Sequence, residues 1–84
     1  MSYVLDAPIR AGAVTVAALS RIDLVPAKME RGVSVWSQKR PVAIFVQDSN
    51  GLRVFSLDGA ELATEAVETL SPGVIARFIQ LAQS

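Results

Sequence analysis

The stretch "PVAIFVQDSNGLRVFSL", Pro41 to Leu57, constrains the fold more than any other part of this chain. Val42 to Val46 is an unbroken apolar run, which predicts a strand buried on both faces and therefore central in a sheet. The polar tetrad Asp48-Ser49-Asn50-Gly51 follows, and Asn-Gly is the strongest short hairpin signal because both residues tolerate positive φ. Leu52 and Val54 then return on one face, with Phe55 and Leu57 on the other. A central β-hairpin over residues 41–57 is the expectation, with Pro41 as its first strand residue, where a missing amide proton costs least.

Upstream, "YVLDAPIRAG" reads as a short extended piece broken by Pro8 and closed by Gly12. From Val14 the chain alternates. Val14, Val16, Ala18, Ser20, Ile22 and Leu24 fall on one face, and Thr15, Ala17, Leu19, Arg21, Asp23 and Val25 on the other, with a bend near Ser20. Pro26 is expected to end this strand, and "AKMERG" to form a polar connection in which Gly32 is the permissive position. "VSVW" resumes strand-like composition before "SQKR" interrupts it.

After Gly59 the period changes from 2 to 3.6. Leu62, Ala63, Ala66, Val67 and Leu70 make one apolar stripe, and Val74, Ile75, Phe78, Ile79 and Ala82 make a second. Ser71-Pro72 between them suits a helix start, Ser as cap and Pro in the first turn. The expected fold is thus α+β: a small antiparallel β-sheet of about four strands, covered by one or two C-terminal helices near 60–70 and 72–83. A single domain over 1–84 is the expectation, and at 84 residues it would bury only about 60–65% of its unfolded surface.

Composition bears on function mainly by exclusion. Cysteine and histidine are absent, which removes disulfides, thiolate chemistry, the usual neutral-pH proton shuttle and the commonest metal ligand. Glu61, Glu65 and Glu68 have helical spacing but read as a solvated face. Ser37 and Lys39 could share a strand face as a Ser/Lys pair, yet no oxyanion motif accompanies them. "DSNG" resembles the start of a calcium loop, but its Gly comes too early and the closing Glu is missing. The five glycines are too scattered for a phosphate-binding or dinucleotide motif. No catalytic residue, cofactor or metal ligand is expected.

Eight basic and eight acidic residues cancel, so no whole-chain field attracts nucleic acid or an anionic membrane. Their distribution is uneven: Lys28, Arg31, Lys39 and Arg40 cluster in the middle beside Trp36, whereas Asp58, Glu61, Glu65 and Glu68 make the next segment acidic. Lys28, Arg31, Trp36, Lys39 and Arg40 are the candidate binding residues, for an anion or a stacked base. One aromatic among a few cations falls short of a single-strand platform, so nucleic acid is disfavoured, and Lys39 and Arg40 read first as guards of a strand edge. Hydrophobic residues make up 51% of the chain and aromatics only 6%, with a mean hydropathy of +0.40. That surplus exceeds what a small monomer needs, and homo-oligomerisation, as a dimer first, is the expected partnership, with another protein as the alternative. No apolar run approaches the roughly 18 residues of a membrane span. A signal peptide fits poorly because Asp6 and Pro8 precede the apolar run, so a cytoplasmic location is expected.

The order of segments "APIRAGAVTVAALSRIDL", "GVSVWSQKRPVAIFVQDSNGLRVFSLD" and "LSPGVIARFI" resembles the GerW-type sporulation protein family across residues 7 to 80. The matching positions are Pro8, Ile9, Gly12, Thr15, Val16, Ser20, Arg21, Ile22, Gly32, Val33, Ser34, Pro41, Val42, Ala43, Val54 and Pro72. The family's glycine-rich insertion is reduced here to "VPAKMERG", and the Trp36–Arg40 segment is longer than the family's passage between strands. The resemblance implies a bacterial structural or interaction protein with no catalytic residues to transfer.

Overall fold

The computed structural model describes the backbone of residues 2–29 and 32–83 and the side chains of residues 2–24 and 38–83. The fold is α+β. Six strands, β1 (Ser2–Leu5), β2 (Ile9–Ala11), β3 (Val14–Met29), β4 (Gly32–Asp48), β5 (Gly51–Ser56) and β6 (Glu61–Leu62), are followed by helices α1 (Thr64–Leu70) and α2 (Val74–Ala82). All pairings are antiparallel, in the order β1-β3-β4-β5-β6, with β2 beside β1 on the outer flank of β3. Six strands replace the expected four because the Pro8 break yields two short strands and the Asp58–Gly59 turn returns far enough to add β6.

The central hairpin is present, with a different turn. Ser49 and Asn50 form the loop, Asp48 pairs with Gly51, and only Gly51 takes positive φ, at 113°. Asn50 stays on the negative side because its backbone N–H donates to Asp48 Oδ1 at 2.8 Å, an Asx turn that makes the tight bend without left-handed geometry at Asn50. Gly51 alone supplies the positive φ that returns the strand.

Larger differences concern β3 and β4. Pro26 does not end β3; the strand runs on to Met29, paired with Gly32, so "AKM" is strand and not connection. Pro41 does not begin β4 but lies inside it, opposite Ser20. The β3–β4 register shifts between Leu19 and Ser20, where Val42 is the extra residue, so the irregularity is a bulge on β4 where a bend of β3 was expected. Beyond Ile22 on β3 and before Ala43 on β4, no other described strand pairs with either, so the two form a projecting ribbon. The molecule measures 55 × 24 × 23 Å with a radius of gyration of 15.5 Å. A compact chain of this length would have about 12 Å.

Helices cover one face of the sheet. Leu5, Ala17, Leu19, Ala43, Phe45 and Val54 from the strands meet Val67, Val74 and Phe78 from the helices in one core. The Phe45 and Phe78 rings lie 5.2 Å apart at 59°, a tilted packing that favours edge against face. Both helices start later than expected. Glu61 and Leu62 pair with β5 instead, and α2 begins after Gly73, whose φ is 86°. Ser71 contributes its backbone carbonyl, which accepts the Val74 N–H at 3.1 Å, rather than a side-chain cap.

Candidate interaction surface

Paired residues on neighbouring strands share a face, and successive residues alternate. The buried side of β3 is therefore the Thr15, Ala17, Leu19 face, which is the more polar of its two by sequence. Its more apolar face is the one that the helices leave uncovered. There the cross-strand rows are Ile9–Val16–Val46, Ala18–Ile44–Phe55 and Val4–Ser20–Pro41, continued by Ile22 and Leu24. Val16, Ala18, Ile22, Ile44, Val46 and Phe55 are half-buried by one another, while Ile9 and Leu24 are 72% and 71% exposed. Arg53 closes one margin: its guanidinium sits 5.7 Å from the Phe55 ring centroid and donates to Asp48 Oδ2 at 2.9 Å.

Strand alternation separates the two central cations that are adjacent in sequence. Lys39 lies on the helix-free face and its ammonium pairs with Asp6. Arg40 lies on the opposite face, directly across from Arg21. Like charges facing each other across a ladder repel; Asp23 offsets this by accepting from Arg21 Nε at 3.1 Å with both carboxylate oxygens. Arg40 is exposed and has no ion pair among the described residues. The backbone of Lys28 pairs with Val33, and that of Trp36 with Val25, which places both in the ribbon; Arg31 lies outside the described residues. Lys39 and Arg40 are thus not brought together as one site.

The remaining polar groups serve local structure. Glu68 accepts the Gly73 N–H ahead of α2, and Glu61 and Glu65 are exposed. Asp58 accepts from the Ser56 hydroxyl and from the Ala60 N–H, the latter at 3.1 Å, in the turn before β6. These two bonds, the Ser56 one first, hold its carboxyl below the usual 3.8. An open cleft of about 410 Å³ sits where the Gly12 and Ser49 turns approach the end of α2, lined by Arg10, Thr15, Gln47, Asp48 and Ala82 among others. Arg10 donates to the Ala82 carbonyl across it, and Gln47 Oε1 is the buried side-chain polar atom without a partner among the described residues. Among those residues no three His, Cys, Asp or Glu side chains gather as metal ligands, and no helix is long and apolar enough to cross a membrane.

The helix-free face was readable only as one of two alternatives. Alternation divided β3 into two faces, but which face the helices cover depends on residues forty or more positions away. Comparison with known proteins adds nothing to this geometry: no protein family, curated protein or solved structure matches the chain.

Proposed function

We propose that this chain is a non-enzymatic interaction module, bacterial and cytoplasmic, that self-associates as a homodimer through the helix-free face of its sheet. The observation that carries this reading is the continuous apolar surface of Ile9, Val16, Ala18, Ile44, Val46 and Phe55 on the side opposite the helices. The body strands, residues 2–5, 9–11, 14–22, 41–48, 51–56 and 61–62, are together about 106 Å long, and at about 4.8 Å spacing they give a face of about 500 Å². The ribbon raises this to about 800 Å², the area each partner contributes to a standard stable interface. Lys39, Arg53 and Glu61 share this face, so only part of that area is apolar, and contiguous apolar patches of a few hundred Å² are what monomers usually keep covered. The resemblance to GerW-type sporulation proteins supports the same reading, since it too implies a structural or interaction role.

Light scattering at micromolar concentration tests it. The parent chain should have twice the monomer mass, and Ile44→Lys, at the centre of the face, should have the monomer mass with an unchanged circular dichroism spectrum. A parent that stays monomeric at 100 µM, or an Ile44→Lys variant that associates as the parent does, refutes the reading.

The facing Arg21 and Arg40 favour a second reading, a binding module for an anionic ligand that settles between two guanidinium groups. Its mark is binding that weakens with salt and is lost in the Arg21→Ala, Arg40→Ala double variant. Salt-insensitive binding, or none, removes it.

A further inference from the structure

The ribbon formed by β3 and β4 has two free edges, and their chemistry differs. In an antiparallel strand the N–H and C=O of one residue leave on the same side, and alternate residues address alternate sides. The Ala18 carbonyl accepts the Asp6 N–H at 2.9 Å, so even-numbered residues of β3 address its outer flank and odd-numbered ones address β4. Paired residues share that orientation. Leu24 pairs with Ser37, Pro26 with Val35, Lys28 with Val33, Ile22 with Lys39 and Ser20 with Pro41. Val33, Val35, Ser37, Lys39 and Pro41 therefore turn their backbone polar groups away from β3.

Both prolines fall at outward positions, which explains how they are tolerated inside long strands: neither removes a bond from the β3–β4 ladder. Their effect on the edges is unequal. Pro26 sits in the middle of the free β3 edge and deletes its central donor. On β4 the only proline is at 41, next to the body, and β5 takes up β4 from Ala43 onward. From Val33 to Lys39 the outer edge of β4 pairs with no other described strand, which leaves a row of donors and acceptors about 20 Å long with a lysine only at its Lys39 end.

We propose that this β4 edge pairs antiparallel with the same edge of a second copy, joining the two sheets into one. The proposal takes from the self-association reading above only the partner, a second copy; it moves the contact from the helix-free face to the ribbon edge, so under it Ile44→Lys still associates. An antiparallel edge is self-complementary about a twofold axis, so an identical chain is the partner that fits without further design. Zero net charge leaves no overall repulsion between copies.

Strand length and proline together select the register. With Val33 opposite the partner's Lys39, and Val35 opposite the partner's Ser37, the axis passes through Trp36 and four bonded pairs form, exchanging about eight hydrogen bonds. Each Lys39 then faces a valine, and each Arg40 faces Gly32. Sliding by two residues one way leaves three bonded pairs instead of four, because β4 begins at Gly32. Sliding the other way sets Val33 opposite Pro41, which has no N–H to give. In the selected register the partner ribbon occupies the lane beside β4 that β5 vacates after Ser56.

Disulfide trapping tests the register, because the chain has no cysteine of its own. Residues 34 and 38 of opposite copies form a non-hydrogen-bonded pair, with Cα atoms about 4.5 Å apart, within reach of a disulfide. The Ser34→Cys, Gln38→Cys double variant should convert to covalent dimer under mild oxidation at 1 µM, and either single variant should not. Ser37→Pro removes an outward N–H and leaves the internal ladder intact. It should weaken self-association at least tenfold while the monomer keeps its circular dichroism spectrum. If the parent dimerises but the double variant traps no more dimer than the singles, or Ser37→Pro dimerises as the parent does, the edge pairing is refuted and self-association through another surface stands. A parent monomeric at 100 µM refutes both.

Discussion

Phe78→Ala separates the two faces of the sheet energetically. Phe78 is fully buried and packs its ring against Phe45 at 5.2 Å. Truncating a buried Phe to Ala costs about 3–5 kcal/mol, from lost transfer energy and the cavity left behind. An 84-residue chain has a total stability of about 4–13 kcal/mol, so this one change removes between a quarter and all of it. With a urea m-value near 1 kcal/mol per molar, the unfolding midpoint should fall by about 3–5 M, or the variant should be unfolded without denaturant. Phe55→Ala is the control. Its ring lies on the helix-free face and is only half-buried within one chain, so at submicromolar concentration it should cost about 1–2 kcal/mol. At 100 µM its deficit should grow, because there the parent gains stability from association that the variant lacks. Equal losses for the two variants at low concentration, or a Phe78→Ala loss below about 1 kcal/mol, would show that the helices do not pack on this face.

Gly51→Val should destabilise the hairpin by about 1–3 kcal/mol through backbone strain alone, since φ is 113° and a Cβ there meets nothing within 4 Å; a thermal melt equal to the parent's would contradict it. Asp23→Ala leaves Arg21 and Arg40 facing each other without a carboxylate and should cost up to about 1 kcal/mol at low salt. In 1 M salt most of that difference should vanish, as urea titrations at the two ionic strengths would show. Because the folded pKa of Asp58 is depressed, its contribution is present above the unfolded value of 3.8 and is lost as pH falls through the folded one. Asp58→Asn should therefore flatten the decline of stability with pH below 4, and an acid limb identical to the parent's would oppose that assignment.

What the sequence by itself determined is local. Apolar runs, the 2-to-3.6 change of period after Gly59 and the polar tetrad at 48–51 are properties of consecutive residues, so the hairpin, the helical tail and the α+β class follow from them. Proline was misleading when read locally. Pro26 and Pro41 looked like strand ends because a missing N–H is costly inside a ladder, but whether an N–H lies inside a ladder depends on register, and register is a property of two strands. Lys39 and Arg40 likewise looked like one cluster, until alternation put Lys39 with Asp6 and Arg40 opposite Arg21. Only the tertiary structure decided which face of β3 is buried. The helices chose Thr15, Ala17 and Leu19 because Phe78, Val74 and Val67 fit against Phe45 and Val54 on that side. That long-range packing leaves the more apolar face open, and with it the surface on which the proposed function rests.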